Sequence, residues 1–265
     1  MEIELKYQTY LINLDRATER LAFMQNEFKN QLIDFERITA VDAITLDSSS
    51  YLINNKYDRR LVPGEIGCYL SHIKALKTFL NSANAYAIVI EDDAILHPQY
   101  KYITEKAIRD FPKLNEYERW DVLKLFNGKR HHIKIRDIDS NFFIAACGTS
   151  IPITTIAAIW TREAAIKFLD KVCTPIPVIK RPIDCDLQHA WEFNLKIYNL
   201  LPTVVTPAPV QTQIQISSNL KKAKLFLQIK YELGRVFPKY LYLIRQHGFT
   251  KFYNSFIVKK NLKIK

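Results

Sequence analysis

Three consecutive acids, Glu91, Asp92 and Asp93, directly follow the hydrophobic run Ala87–Ile90. Carboxylates this close repel one another by about 1 kcal/mol or more per pair at a surface-like dielectric constant. A divalent cation removes that repulsion, and Mg²⁺ and Mn²⁺ prefer oxygen ligands and commonly arrive with substrate phosphates. Alternate side chains of an extended segment point the same way, so we expect Glu91 and Asp93 to hold the ion while Asp92 orients a hydroxyl group or caps the next segment. The alternative is three solvated acids in a turn.

The hydrophobic pattern predicts the elements that position these acids. Strand-like runs occur at 8–15, 35–43, 86–93 and 120–126, helical periodicity at 16–30 and 61–83, and a change from strand to helix within 150–172. Strands alternating with helices predict an α/β fold, with a mixed, mostly parallel sheet flanked by helices. Ligands of such sheets bind outside the carboxyl ends of the strands. Asp15, Asp42 and the acids 91–93 fall at predicted strand ends, so we expect them to share one rim.

The composition is that of a globular protein, with 265 residues and 48% hydrophobic content, enough for one large domain or a domain with an appendage. Its four cysteines are widely spaced and include no C-x-x-C pair, which favours reduced thiols in a cytoplasmic protein over a disulfide framework or a zinc site. The first ten residues lack the basic and apolar regions of a signal peptide. The sequence contains no run of about 18 apolar residues, so it predicts no membrane-spanning helix.

The formal net charge of +11 comes from the C-terminal segment. Residues 220–265 contain 12 lysines and arginines and one acid, whereas residues 1–219 contain 26 basic and 26 acidic residues. We therefore predict a domain at 1–219 and a basic helical extension at 220–265. Its basic residues alternate with Leu, Phe, Tyr and Ile, which favours an amphipathic helix on an anionic membrane, where each basic residue adds up to about 1 kcal/mol. The alternative is a subdomain that packs on the body; nucleic acid is not expected, because no RNA- or DNA-binding signature is present.

Six motifs, in order along residues 8–205, resemble those of glycosyltransferase family 25, which comprises bacterial lipooligosaccharide galactosyl- and glucosyltransferases. They are YLINLDRATER (10–20), FERITAVDA (35–43), GEIGCYLSHIKAL (64–76), AIVIEDDA (87–94), GTS (148–150) and PIDCDL (182–187). The resemblance implies a GT-A-like fold and an inverting transfer from a nucleotide-sugar donor, assisted by a divalent metal.

The resemblance also implies a set of donor-binding residues. Arg16 and Arg20 would face the diphosphate, for which a guanidinium fork is suited; the alternative is a pair of solvated arginines. His72 would donate to a phosphate or sugar oxygen, unless it is a structural hydrogen bonder. The expected donor-binding residues are Asn13, Asp15, Arg16, Arg20, Ala40, Asp42, Glu65, Ser71, His72, Asp92, Gly148 and Thr149.

An inverting transfer requires a general base near the acceptor hydroxyl. Asp184 and Asp186 in the motif PIDCDL are the expected catalytic residues, and Asp184 matches the Pro-x-Asp position of the family. His189 would serve as a late metal ligand beside Glu91 and Asp93. The alternative is that one of the two aspartates only caps the helix that follows.

The resemblance therefore implies transfer of galactose or glucose from a UDP-sugar to a sugar hydroxyl of lipooligosaccharide or lipopolysaccharide, with Mn²⁺ or Mg²⁺ bound. Because that acceptor is lipid-anchored, we expect a cytoplasmic protein, peripheral on the inner face of the bacterial inner membrane. One alternative is a metal-dependent phosphoryl or nucleotidyl transferase, which predicts a Gly- and Lys-rich phosphate loop, and this chain has only 6 glycines. The other is a non-catalytic membrane-binding module.

Overall fold

The computed structural model describes residues 5–128, 132–148, 151–209 and 225–249, which form an α/β fold around one large sheet. The strands of this part of the chain are β1 (Tyr7–Asn13), β2 (Phe35–Thr39), β3 (Leu52–Ile53), β4 (Tyr86–Glu91), β5 (Ala94–Leu96), β6 (Val122–Lys124), β7 (His132–Asp137), β8 (Phe143–Cys147), β9 (Ala157–Thr161), β10 (Val178–Ile179), β11 (Ile197–Leu201) and β12 (Val205–Pro207). The α-helices are α1 (Thr18–Asn30), α2 (Pro63–Asn81), α3 (Tyr100–Asp110), α4 (Arg162–Val172), α5 (Ile183–Leu187), α6 (Ala190–Phe193) and α7 (Leu225–His247).

The central sheet has eight strands in the order β2-β1-β4-β9-β6-β11-β8-β7. The strands β2, β1 and β4 are parallel neighbours, and so are β6 and β11. The prediction of a mixed sheet flanked by helices is confirmed, but the expectation that it is mostly parallel is wrong. Four of the neighbouring pairs are antiparallel, because β9 lies between β4 and β6 in the opposite direction and β8 separates β11 from β7. The apolar pattern of a strand carries no information about its direction.

Both faces of the sheet are buried, which explains why the run before the acids does not alternate with polar residues. Ala87 and Val89 of β4 pack into the core that α2 and α4 cover, and Ile88 and Ile90 pack into the core that α1 and α3 cover. The site must therefore lie at an edge of the sheet.

The predicted strand 86–93 ends earlier than expected, at Glu91. Asp92 and Asp93 form a turn that leads into β5. The alternation that placed Glu91 and Asp93 on one side of an extended segment is therefore wrong, because only Glu91 belongs to the strand.

The helix α7 is the described part of the basic C-terminal segment, and one of its faces packs on the body. The hydroxyl of Tyr242 donates to the carbonyl oxygen of Leu195 at 2.5 Å, its ring lies 6.3 Å from that of Trp191, and Leu243 is buried. Within the described ranges, no helix combines the length and apolarity that crossing a membrane requires. The stretches 210–224 and 250–265 lie outside the described residues.

The helix α2 lies very close to the segment after β2 at Gly67. A Cβ atom at this position would lie 2.6 Å from the carbonyl oxygen of Val41, so any other residue requires the two segments to move apart. One turn later, the hydroxyl of Ser71 accepts a hydrogen bond from the backbone N–H of Val41 at 2.8 Å and donates to the carbonyl oxygen of Gly67 at 2.6 Å. These contacts fix the segment after β2 against α2.

Replacing Gly67 with alanine is expected to lower the free energy of unfolding by about 1–3 kcal/mol, because the new methyl group collides with backbone rather than with a side chain that can move. Urea denaturation measures this change. Gly234→Ala in α7 is the matched control, since its new methyl group meets nothing within 4 Å, and we expect it to be neutral or stabilising by up to about 1 kcal/mol. A Gly67→Ala protein as stable as the wild type would show that the close approach is not a constraint.

Candidate functional site

One pocket opens at the carboxyl ends of β1, β2 and β4, the edge at which the sequence predicted a shared rim. These parallel neighbours bring Asn13, Ala40 and Glu91 together from distant parts of the chain. The first turns of α2 form the facing wall. The lining residues are Ile12, Asn13, Leu14, Arg16, Arg20, Ala40, Val41, Ala43, Gly64, Cys68, Ser71, His72, Glu91, Asp92 and Asp93.

The carboxylate of Asp92 joins three of the surrounding elements. Its Oδ2 accepts a hydrogen bond from Nδ2 of Asn13 at 2.7 Å, and its Oδ1 lies 3.1 Å from Nη1 of Arg20 on α1. Asn13 in turn accepts at Oδ1 from Nε of Arg37 on β2, at 2.9 Å. The carboxylate is nearly buried. Asp92 therefore positions Asn13 and Arg20, rather than presenting a free acceptor to a ligand hydroxyl.

Glu91 pairs with a buried histidine of α2. Its Oε1 lies 3.0 Å from Nε2 of His72 and 2.5 Å from Oγ1 of Thr155. Burial alone raises the pKa of Glu91, but the hydrogen bonds from His72 and Thr155 outweigh it, so the net shift is downward. Glu91 is therefore an ionised group whose position is fixed from both sides of the pocket.

The carboxylate of Asp93 is less fully hydrogen-bonded than those of Glu91 and Asp92. Its Oδ1 is buried and makes no hydrogen bond. Burial, followed by the charge of Glu91, raises the pKa of Asp93 from 3.8 to about 6. A buried carboxylate oxygen without a donor is destabilising on its own, and protonation or a bound cation would remove this cost.

Two arginines line the pocket, one just before α1 and one within it. Arg20 is fixed by Asp92, and Arg16 forms an ion pair with Asp42 while remaining substantially exposed. Asp42 also accepts a hydrogen bond from the backbone N–H of Ile44 at 2.9 Å, which caps a short 3-10 turn. The expected pair of arginines is therefore brought to one wall, and Arg16 is the one more open to a ligand.

Some expected donor-binding residues do not line this pocket. Glu65 is buried and holds the start of α2: it accepts from the N–H of Val62 at 2.9 Å and from both terminal nitrogens of Arg59. Asp15 is exposed and pairs with Arg37. Gly148 is a buried bend after β8, and Thr149 lies outside the described residues. We therefore correct the assignment of Glu65, because its carboxylate is occupied within the helix cap.

Asp184 is not among the residues that line the pocket, but it lies close enough to Glu91 and Lys124 for their charges to act on its pKa. Burial raises that pKa, and the N–H of Cys185 and the charge of Lys124 offset the rise in part. The aspartate is not an N-cap, since α5 begins at Ile183 after Pro182. The capping alternative is therefore wrong for Asp184.

Asp186 has a structural role instead. It is fully buried, accepts a hydrogen bond from the hydroxyl of Tyr69 at 2.7 Å, and pairs with Nη1 of Arg181 at 2.7 Å. Arg181 also binds Glu192 at 2.7 Å. We therefore correct the expectation for Asp186: a carboxylate enclosed in this ion-pair network does not face a substrate hydroxyl.

The structure does not bring His189 to the pocket lining. The residue is buried, its Nδ1 lies 2.7 Å from the carbonyl oxygen of Cys185, and its ring packs between Trp191 and Tyr231. Burial, followed by the charge of Arg181, lowers the pKa of His189 to about 4. Its surroundings are those of a neutral core histidine, so the expected late metal ligand is not assembled with Glu91 and Asp93 here.

Sequence reasoning missed three residues that complete the site. Lys124 is only 2% exposed, and its Nζ donates to the carbonyl oxygen of Pro152. Thr155 holds Glu91, and Cys68 lines the pocket one turn before His72 on α2. A lysine inside the apolar run WDVLKLF was a usable signal, because an ammonium group is rarely buried without partners. No comparable signal marked Thr155.

Two acids of the pocket, Asp93 and Glu91, offer oxygen ligands for a divalent cation. Asp93 offers an oxygen that has no other partner, and Glu91 offers a second carboxylate whose Oε1 is shared with His72 and Thr155. Oxygen donors of this kind suit Mg²⁺ or Mn²⁺. Asp93 is therefore the better-supported ligand of the two.

Comparison with known proteins shows that the chain is similar to one family of glycosyltransferases. The model of glycosyltransferase family 25, described as an LPS biosynthesis protein, matches residues 6–178, more than half of the chain. A glycosyltransferase 25 family member of Anopheles gambiae is 26% identical over 170 residues, covering 60% of this chain and 28% of that protein. Procollagen galactosyltransferase 2 of Mus musculus is 31% identical over 116 residues, covering 40% of this chain and 19% of that protein.

Two further similarities are to a third relative and to a solved structure. A probable inactive glycosyltransferase 25 family member 3 of Rattus norvegicus is 28% identical over 220 residues, covering 76% of this chain and 38% of that protein. The chain thus spans less than two fifths of the length of these relatives. Among solved structures, the inositol-1-phosphate CTP transferase of T. maritima matches with 11% identity over 88% of this chain and 99% of its own, but its TM-score of 0.36 is too low to support an argument.

The adjacent acids Asp92 and Asp93 are expected to respond oppositely to the same substitution. Asp92→Asn places an amide donor against Asn13 or Arg20, and should lower the free energy of unfolding by about 1–3 kcal/mol. In metal-free protein, the contribution of Asp93 to wild-type stability is expected to decrease as the pH rises from 3.8 to about 6, because unfolding lets Asp93 ionise while folding resists it. Asp93→Asn removes that loss, so the variant should gain stability relative to the wild type between these pH values.

Chemical denaturation in the presence of a chelator, at the two ends of this pH range, measures both effects. Equal destabilisation by the two substitutions, or a pH-independent effect of Asp93→Asn, would contradict the contrast between a bonded and an unbonded carboxylate.

Proposed function

The chain belongs to glycosyltransferase family 25, and on this basis we propose that it transfers a hexose from a UDP-sugar to a sugar hydroxyl of lipooligosaccharide or lipopolysaccharide, with inversion at the anomeric carbon. The observation that carries the proposal is the meeting of Arg16, Arg20 and the unbonded oxygen of Asp93 in one pocket at the carboxyl ends of parallel strands. Such an edge is where α/β sheets bind nucleotides.

The donor would lie with its diphosphate between the arginines and the acids. Arg16 is the more exposed of the two guanidinium groups, and it pairs with the carboxylate of Asp42, which the diphosphate would replace or share. Arg20 stays fixed to Asp92 and supplies charge from a defined position. Asp93, together with Glu91, would hold Mn²⁺ or Mg²⁺. When bound, such an ion offsets the negative charge of the leaving diphosphate.

Asp184 is the proposed base. It would take the proton of the acceptor hydroxyl as the acceptor oxygen bonds to the anomeric carbon; the bond from that carbon to the diphosphate breaks, and UDP leaves with the electron pair. A raised pKa suits this role, because a more basic carboxylate is a better proton acceptor provided that it is ionised at the working pH.

The family description and the relatives suggest different acceptors. The family is described as an LPS biosynthesis protein, which supports a lipid-anchored glycan. The mouse relative is named a procollagen galactosyltransferase, which favours galactose over glucose as the donor sugar and a protein-bound hydroxyl as the second candidate acceptor. Galactose and glucose differ in one hydroxyl orientation, which a single hydrogen-bonding side chain can discriminate.

Asp184→Asn is expected to lower the transfer rate by about 10²–10⁴-fold, the usual contribution of a general base. Binding of the UDP-sugar with Mn²⁺, measured by thermal shift, should be unchanged. In the wild type, the rate should fall as the pH decreases through a pKa above the ordinary value of 3.8, because the protonated carboxyl cannot accept a proton. Wild-type turnover in Asp184→Asn would remove the base assignment.

Asp93→Asn serves as the matched variant for donor binding. It should abolish the Mn²⁺-dependent part of the thermal shift with UDP-galactose or UDP-glucose while the protein stays folded. Product analysis separates the reaction classes: release of UDP supports glycosyl transfer, and release of pyrophosphate from a nucleoside triphosphate would instead indicate a nucleotidyl transferase. No shift with any nucleotide sugar would overturn the proposed donor class.

We also propose that α7 holds the enzyme on an anionic membrane, at the inner face of the bacterial inner membrane, where a lipid-anchored acceptor would be found. The face of α7 that is turned away from the body carries an exposed apolar stripe, whose members are Ile229, Leu233, Val236 and Phe237. The spacing i, i+4, i+7, i+8 places them on one side of a helix. Basic residues beside such a stripe attract anionic lipid, by up to about 1 kcal/mol each.

Replacing Leu233 and Phe237 together with aspartate is expected to reduce binding to vesicles that contain anionic lipid by at least about tenfold, because the change removes apolar area and adds two negative charges. Both side chains are largely exposed, at 68% and 74%, so the fold should be kept. Leu32→Asp is the control, since Leu32 is 81% exposed at the end of α1. Vesicle sedimentation measures the effect, and equal binding by all three proteins would exclude a membrane role for α7.

A further inference from the structure

A thiol, an imidazole and a carboxylate converge on one wall of the pocket. Cys68 and His72 are four residues apart on α2, so they lie on the same face of the helix, and Glu91 reaches them from the end of β4. One donor atom from each residue lies within 4.8 Å of the other two. Of these pairs, Nε2 of His72 and Oε1 of Glu91 are 3.0 Å apart.

We propose that Cys68, His72 and Glu91 form a zinc site. The donor set is the reason: sulfur and nitrogen ligands select Zn²⁺, whereas Mg²⁺ and Mn²⁺ prefer a shell of oxygens. Glu91 also belongs to the proposed site of the donor-diphosphate cation, so the zinc site adjoins that site and differs from it in using Cys68 and His72 in place of Asp93. A signal from the thiolate of Cys68 tests the zinc site separately from glycosyl transfer.

The spacing suits tetrahedral coordination with small movements. Zn–S bonds of about 2.3 Å and Zn–N or Zn–O bonds of about 2.0–2.1 Å place neighbouring ligand atoms about 3.3–3.7 Å apart. Closing separations of up to 4.8 Å to this range requires shifts within reach of side-chain rotation, and the His72–Glu91 pair must open slightly. Binding breaks the S–H bond of Cys68 and releases its proton to solvent.

The surroundings favour a cation at this point. The carboxylates of Glu91, Asp93 and Asp184 all lie near Cys68, so a cation bound here would be surrounded by negative charge. Thr155 donates a hydrogen bond to Glu91 at 2.5 Å and lies close to Cys68, so it contacts two of the three ligands. Metal ligands are commonly held in this way by a second layer of hydrogen bonds.

The site has three protein ligands, and all three line the pocket. A fourth coordination position therefore faces the pocket rather than the protein interior. Three protein ligands with an open position are the arrangement of zinc sites that bind a water or substrate oxygen, whereas structural zinc sites are closed by four.

Co²⁺ titration of the reduced, metal-free full-length chain tests the site without relying on activity. Co²⁺ alone should give a near-ultraviolet thiolate-to-cobalt charge-transfer band in the wild type, which Zn²⁺ then displaces. Cys68→Ser should lose the band and weaken Zn²⁺ binding by at least about 100-fold, since loss of even an outer partner costs about 10–100-fold. Cys173→Ser is the matched control, because Cys173 is also a partly buried free thiol but lies outside the cluster.

Thr155→Val keeps the three ligands and should retain the band with about tenfold weaker binding. It also provides a second measurement if Cys68→Ser does not fold, which circular dichroism will show. Absence of the charge-transfer band in the wild type would overturn the proposal. So would a band that persists in folded Cys68→Ser, or one that disappears in Cys173→Ser.

Discussion

The carboxylate of Asp92 is the interaction on which the geometry of the pocket depends. It receives a hydrogen bond from Asn13 at the end of β1 and an ion pair from Arg20 on α1, while Asn13 is also bound by Arg37 of β2. One buried carboxylate thus fixes two strand ends and a helix around the same opening. A hydrogen bond to a charged group contributes about 1.5–3 kcal/mol, and here the same bonds set the position of Arg20 in the wall of the pocket.

The pKa values of the other carboxylates in and around the pocket are shifted in different directions by burial and by neighbouring groups. Glu91 is stabilised as an anion by His72 and Thr155, whereas Asp93 and Asp184 have raised pKa values because burial and neighbouring carboxylates oppose their ionisation. The nearly buried Lys124 partly offsets this for Asp184. A site with this excess of acid gains stability from a cation, which is the common physical basis of the two metal sites proposed above.

The helix α7 gives the basic C-terminal segment two apolar faces. One face is used by Tyr242 and Leu243 against the body, and the other leaves Leu233 and Phe237 in solvent. The two alternatives that the sequence left open, packing on the body and binding to a membrane, are therefore compatible, because they require different sides of the same helix.

The sequence by itself determined the strands and helices whose apolar periodicity is strong, such as β1, β4 and α2, and it placed the acids at the edge where parallel strands end. It also singled out Asp184, through a motif. Only the tertiary structure decided which carboxylates are available. Asp92, Asp93, Asp184 and Asp186 are chemically identical, but the partners that bind Asp92 and Asp186 and leave an oxygen of Asp93 unbonded come from elements far away in the chain. A local pattern carries the identity of an acid, whereas its pKa and its freedom to bind depend on long-range contacts and burial, which arise only when the chain has folded.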